Sequence, residues 1–168
     1  IDDDTISRAF ESGTDDFIAK PVVVPELISR INRLLNVGQR QDRPERILIV
    51  DDSATIRSLV TSSLRKQGFH VEEAEHGVDA LVKLYDKKFH LLVTDYEMPN
   101  LDGVGLCRKI RGDKVKWRKE IPIIFATSRD SKTDRATMSS LGIQSYVAKP
   151  FTADRIVVEV ERVLAERR

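Results

Sequence analysis

The sequence predicts a doubly wound α/β fold built on a five-stranded parallel sheet. Three observations lead there. From residue 46 onward, short apolar runs alternate with amphipathic stretches. The apolar runs are nearly continuous, as expected for strands covered on both faces. Five strands alternating with five helices imply βαβ units, whose right-handed crossovers place helices in two layers.

Each element follows from its local residues. Arg46-Ile47-Leu48-Ile49-Val50 is the first strand, and Asp51, Asp52 and Ser53 can cap a helix over 54–67, with Ile56, Leu59, Val60 and Leu64 on its apolar face. Gly68 is a plausible stop for that helix. A second strand is expected over 69–74 and a second helix over 78–86, with Ala80, Leu81, Leu84 and Tyr85 apolar. Leu91-Leu92-Val93-Thr94 forms the third strand and delivers Asp95 at its end. A turn-rich loop, Met98-Pro99-Asn100-Leu101-Asp102-Gly103, follows, and Asp102 can cap a helix over 103–111. The fourth strand is expected over 121–126, ending at Thr127, and a helix over 132–140, closed by Gly142. The fifth strand, 145–148, ends at Lys149-Pro150 and leads to a last helix over 153–166.

Folds of this kind bind ligands at the carboxyl ends of their strands. Those ends carry Asp51 and Asp52, Asp95, Thr127 and Lys149. Three carboxylates gathered in one place repel each other and call for a cation, and oxygen donors of this type suit Mg²⁺, with Mn²⁺ as a substitute. A carboxylate beside such an ion can attack a phosphoryl group and form an aspartyl phosphate. The spread negative charge of that group needs cations and donors nearby. Asp95 reads as the nucleophile, Asp51 and Asp52 as metal holders, Lys149 as the cation and Thr127 as the hydroxyl.

Composition removes other classes. Of 168 residues, 40% are hydrophobic and 33% charged, as in a soluble globular protein, and the net charge of +1 names no partner. No apolar run approaches the roughly 20 residues of a membrane span. The lone Cys107 rules out an internal disulfide, fits a cytoplasmic setting and reads as a packing residue. The opening Ile1-Asp2-Asp3-Asp4 does not resemble a signal peptide, and a first residue other than Met suggests a piece of something longer.

The chain also repeats itself. Gly13-Thr14-Asp15-Asp16-Phe17-Ile18-Ala19-Lys20-Pro21 parallels Gly142-Ile143-Gln144-Ser145-Tyr146-Val147-Ala148-Lys149-Pro150, and the match runs without gaps from Ala9/Met138 to Leu35/Leu164. Residues 1–36 therefore read as the C-terminal helix–strand–helix of an upstream copy, 37–45 as a linker and 46–168 as the complete domain. The first copy lacks the acidic residues and cannot do this chemistry alone.

Taken together, Ile49-Val50-Asp51-Asp52-Ser53, Thr94-Asp95-Tyr96-Glu97-Met98-Pro99, Leu101-Asp102-Gly103, Ala126-Thr127-Ser128 and Tyr146-Val147-Ala148-Lys149-Pro150-Phe151 resemble the response-regulator receiver family of two-component signalling. The resemblance spans 46–168 and implies the flavodoxin-like strand order 2-1-3-4-5. It implies that Asp95 accepts a phosphoryl group from the phosphohistidine of a sensor histidine kinase or histidine phosphotransfer protein. It also implies that Asp52, Asp95 and the Glu97 backbone carbonyl contact Mg²⁺, with Asp51 helping through water. Thr127 and Lys149 then bind the phosphoryl group, and Tyr146 is the aromatic switch residue. The 131–166 face would carry the signal to an output partner, and a homodimer through that face is left open.

Two further expectations concern charge. Glu97 and Arg129 lie two residues after Asp95 and Thr127 and are expected to pair across the site and tune the aspartyl-phosphate lifetime. The basic run Arg108, Lys109, Arg111, Lys114, Lys116, Arg118 and Lys119, with Trp117, reads first as a solvated loop and second as a dock for an acidic partner, while direct nucleic-acid binding has no reader module to support it. His70, His76 and His90 lack ligand or catalytic spacing and read as surface residues, so the phosphodonor histidine comes from elsewhere. The competing function is a phosphohydrolase of the haloacid-dehalogenase type, which wants an Asp where Glu97 stands and places its other acidic pair after the lysine. A third reading is a scaffold that is never phosphorylated. Paired receivers also resemble those of multidomain diguanylate cyclases, and no cyclase activity is expected of this chain.

Overall fold

The computed structural model describes residues 43–128, 131–143 and 145–167. The expected upstream remnant at 1–36, most of the linker, and Arg129 lie outside the described residues. Residues 43 and 45 are tied to the domain that follows. The Arg43 amide donates to the Gly68 carbonyl at 3.1 Å, its guanidinium lies over the Phe69 ring and pairs with Glu161, and the Glu45 carbonyl accepts from the His70 amide.

Five strands alternate with helices in chain order. They are β1 (Arg46–Val50), α1 (Ala54–Lys66), β2 (His70–Ala74), α2 (Gly77–Asp86), β3 (Leu91–Asp95), α3 (Gly103–Arg111), α4 (Lys116–Lys119), β4 (Ile123–Thr127), α5 (Lys132–Ser140), β5 (Ser145–Ala148) and α6 (Ala153–Ala165). All strand pairs are parallel and the order is β2-β1-β3-β4-β5, as the resemblance implies. The sheet splits its side chains between two cores. Ile47, Ile49, Leu91 and Val93 pack with Val60 and Leu64 of α1 and with Ile156, Val160 and Val163 of α6. Leu48, Val50, Leu92 and Phe125 pack with Ala80 and Leu84 of α2, Leu106, Cys107 and Ile110 of α3, and Met138 of α5. Cys107 is fully buried, and that burial pushes its thiol up to about 12, so it serves as packing.

The element edges show where backbone chemistry overrides apolar pattern. Phe69 was expected in β2, but its amide bonds back to the Leu64 carbonyl, and Gly68 at φ 89° makes the turn that allows it. Ile121 and Pro122 precede β4 instead of opening it. Pro122 lends its carbonyl to the Leu92 amide and has no N–H to give back. Leu59, expected on the buried face of α1, is half-exposed, because the buried stripe runs through Arg57, Val60, Thr61 and Leu64. Tyr85 of α2 is likewise exposed.

The basic run is not a solvated loop throughout. Part of it forms α4, whose Trp117 packs against the second core. The Arg111 guanidinium is half-buried and donates to the carbonyls of Leu141, Lys119, Ile121 and Gly142. Arg118 pairs with Asp113 at 2.9 Å and lies over the rings of Tyr85 and Trp117. Two of the histidines also have structural work: His76 Nδ1 caps α2 by accepting from the Asp79 amide, and His90 Nδ1 accepts from the Arg46 amide at 2.9 Å. Among the described residues no helix is long and apolar enough to cross a membrane.

Candidate functional site at the carboxyl edge of the sheet

The strands end where the chemistry-bearing residues begin. Asp51 and Asp52 follow β1, Asp95 is the last residue of β3, Thr127 is the last of β4, and Lys149 follows β5. β3 lies between β1 and β4, so Asp95 is central in the row. The loop from β1 to α1 is held from below. The Asp51 carboxylate accepts from the Ser53 amide at 2.9 Å, and Ser53 caps α1. Arg57, one turn into α1, donates to the Asp51 carbonyl at 2.7 Å and the Asp52 carbonyl at 3.2 Å, and its other nitrogens approach Glu73 and Glu75. Sequence reasoning missed Arg57. The available signal was a basic residue on the first turn after an acidic pair, with acidic partners on and just after the next strand.

A close backbone approach fixes the other side. A Cβ on Gly103 would lie 2.2 Å from the Asp95 carbonyl oxygen, so only glycine lets α3 start against the end of β3. The Gly103 amide donates to the Tyr96 carbonyl, and Asp102 caps α3 by accepting from the Gly105 amide. Lys149 is placed by its own amide, which donates to the Thr127 carbonyl at 2.7 Å.

The side chains converge. Lys149 Nζ lies 2.8 Å from Asp51 Oδ2 and 2.7 Å from Asp95 Oδ2, and the Asp95 Oδ1 accepts from the Tyr96 amide at 2.7 Å. Asp51 is 2% exposed and Asp95 8%, Thr127 is buried, and Asp52 faces solvent. Burial raises the Asp95 carboxyl above its ordinary range, Lys149 pulls it back, and the Asp51 charge adds to the rise. Burial alone would lower Lys149, yet its hydrogen bonds and charge contacts with Asp51 and Asp95 outweigh that and hold the ammonium above its ordinary value. The pocket thus keeps a charged amine beside a desolvated carboxylate.

One oxygen each from Asp51, Asp52 and Asp95 lies within 4.8 Å of the others. An all-oxygen, all-carboxylate set with one solvent-facing member fits a hard divalent cation that keeps part of its water shell. Glu97, two residues after Asp95, is exposed, and its expected partner Arg129 falls outside the described residues. Tyr146 sits on β5 opposite Phe125, 36% exposed, with the Arg135 guanidinium over its ring.

The sequence matches the family described as "Response regulator receiver domain" over residues 47–161. The chain belongs to the response regulator receiver family. The receiver is 39% identical over 121 residues to the chemotaxis protein CheY1 of Helicobacter pylori, covering 71% of this chain and 96% of that protein. It is 33% identical over 124 residues to the transcriptional regulatory protein ResD of Bacillus subtilis, covering 74% of this chain and half of ResD. Among solved structures it resembles the chemotaxis protein CheY4 of Vibrio cholerae, with a TM-score of 0.67 at 28% identity over 71% of this chain and 98% of that one. Receivers are signalling switches whose general function is phosphoryl acceptance by an aspartate. Membership decides between the receiver and the haloacid-dehalogenase alternative in favour of the receiver.

Proposed function

We propose that this receiver takes a phosphoryl group onto Asp95 from the phosphohistidine of a sensor kinase or phosphotransfer protein. One observation supports the reading above the rest: Asp95 ends the central strand with Asp51 and Asp52 beside it and the Lys149 amine at 2.7 Å. An Asp95 carboxylate oxygen attacks phosphorus and forms an O–P bond as the donor's P–N bond breaks. The electron pair of that bond stays on the imidazole nitrogen, which then takes up a proton. Lys149 turns from its carboxylate contacts to the phosphoryl oxygens, and the Thr127 hydroxyl donates to them.

Asp51, Asp52, Asp95 and the Glu97 backbone carbonyl would hold Mg²⁺. When bound, the ion offsets the charge of the carboxylates and of the phosphoryl oxygens. Phosphorylation replaces a carboxylate with a group bearing more acceptor oxygens and charge. Thr127 then moves toward the new group and Tyr146 turns inward from its exposed position. This remodels the face of α5, β5 and α6 that a downstream partner, or a second copy of this chain, reads. Glu97 and Arg129, which stand two residues after Asp95 and Thr127 in the sequence, set how long the aspartyl phosphate lasts; equal dephosphorylation rates in Arg129→Ala and the parent would remove that role. The setting we infer is the cytoplasm, with residues 1–36 the end of an upstream receiver.

The deciding experiment treats the protein with acetyl phosphate and Mg²⁺ and reads intact mass. The parent gains one phosphoryl group and Asp95→Asn gains none. An adduct of equal yield in Asp95→Asn would sink the assignment.

A further inference from the structure

Tyr96 is bonded at three points to three elements. Its amide donates to Asp95 Oδ1 at 2.7 Å. Its ring leans on Phe125 of β4, with centroids 5.4 Å apart and planes tilted by 51°. Its hydroxyl donates to Asp134 Oδ1 at 3.1 Å, across 38 positions of sequence. Asp134 is 8% exposed and is no ordinary surface carboxylate. Its other oxygen accepts from the Ser131 hydroxyl at 2.6 Å and from the Ser131 amide, while Ser131 Oγ accepts from the Asp134 amide, a reciprocal cap on α5.

We propose that Tyr96 is a positioning residue that transmits the state of Asp95 to the first turn of α5 through its hydroxyl bond to Asp134. The inference rests on the phosphoacceptor reading above and adds a route that bypasses Thr127 and Tyr146. The physical basis is charge and stiffness. The Tyr96 amide now bonds a carboxylate oxygen, a charge-assisted contact. Once Asp95 Oδ2 carries the phosphoryl group, Oδ1 becomes the carbonyl oxygen of an acyl phosphate, loses its share of the carboxylate charge, and the contact weakens. The aromatic ring between amide and hydroxyl has few rotatable bonds and is braced on Phe125, so a shift at the amide is not absorbed along the way. It reaches Asp134, whose cap holds the start of the helix that begins the readout face.

The test is amide hydrogen exchange on the full chain, with and without acetyl phosphate and Mg²⁺, for the parent, Tyr96→Phe, Asp134→Ala and the double variant. Tyr96→Phe keeps the ring and its packing and removes only the hydroxyl. In the unphosphorylated protein it is expected to speed exchange at residues 133–137 about tenfold, the size set by losing one hydrogen bond to a charged acceptor. Residues 54–66 are expected to be unchanged. Adding Tyr96→Phe to Asp134→Ala is expected to bring no further increase, because Asp134→Ala has already removed the acceptor of that hydroxyl. Phosphorylation is expected to alter exchange in α5 of the parent and to alter it at least threefold less in Tyr96→Phe at equal adduct yield. Parent-like exchange in unphosphorylated Tyr96→Phe, additive effects in the double variant, or an undiminished phosphorylation response would each overturn the link. Failure of the parent to form any adduct would instead overturn the phosphoacceptor reading itself and remove the signal this link carries.

Discussion

At the carboxyl edge of the sheet, Asp51, Asp95 and Lys149 direct their charges at one another and leave Asp52 facing solvent. In the basic run 108–119, Arg111 and Arg118 direct theirs at backbone carbonyls, at Asp113 and at aromatic rings. Both regions are dense in charge when the sequence is read. They differ in what the fold does with that charge. The guanidinium of Arg111 holds down the ends of α3, α4 and α5, so its donors are committed to structure. The ammonium of Lys149 is held by two carboxylates, and in the proposed reaction a phosphoryl group takes their place. A charge cluster is poised for chemistry when its partners are exchangeable, and structural when they are backbone groups that have nowhere else to go.

The largest effect is expected at Lys149. Lys149→Met keeps an unbranched chain one atom shorter and removes the charge, so acetyl phosphate should modify Asp95 at least about 100-fold more slowly, the scale of losing one stabilising donor from a reacting site. A time course of intact mass measures it. A rate within twofold of the parent would reduce Lys149 to a plain ion pair and erase the contrast with Arg111.

Next in size is Arg111→Ala. It strips donors from carbonyls that include part-buried ones. The expected cost is about 3 kcal/mol, a fall in Tm of roughly 10 °C, with adduct formation within about twofold of the parent. A parent-like Tm would show that water replaces the guanidinium at those carbonyls. A matching loss of phosphorylation would mean that the two regions are not separable.

The same contrast explains what could be read in advance. The parallel strands were legible because burial on both faces makes near-continuous apolar runs, and the site was legible because the fold places strand ends side by side. Asp51, Asp52, Asp95 and Lys149 then meet although 98 positions separate the outermost hydrogen-bonded pair. What stayed hidden were contacts made by side chains to backbone or across elements with no sequence period. Arg57 holds the carbonyls of Asp51 and Asp52, Arg111 gathers carbonyls from two loops, and Tyr96 reaches Asp134. Helix α4 was missed because its four residues are shorter than any periodic window. His76 and His90 read as idle surface groups, since accepting a backbone N–H leaves no mark in spacing.

The smallest expected effect is the most informative about the site's electrostatics. Burial raises the Asp95 carboxyl above its ordinary 3.8, helped by Asp51 and opposed by Lys149. A carboxyl with a raised folded pKa binds its proton more tightly in the folded state. Folding stability is therefore lost as pH climbs from 3.8 to the raised folded value, and is constant above it. Asp95→Asn carries no such charge, so without divalent metal its Tm should exceed the parent's near pH 7 by a few degrees at most. That gap should narrow as the pH falls toward 3.8. Adding Mg²⁺ should narrow it from the other side, because an ion held by three carboxylates stabilises the parent more than a variant with two. Thermal melts over pH, with and without Mg²⁺, measure both. A gap that ignores pH would mean that Lys149 already offsets the Asp95 charge in full, leaving no electrostatic strain for a cation to relieve.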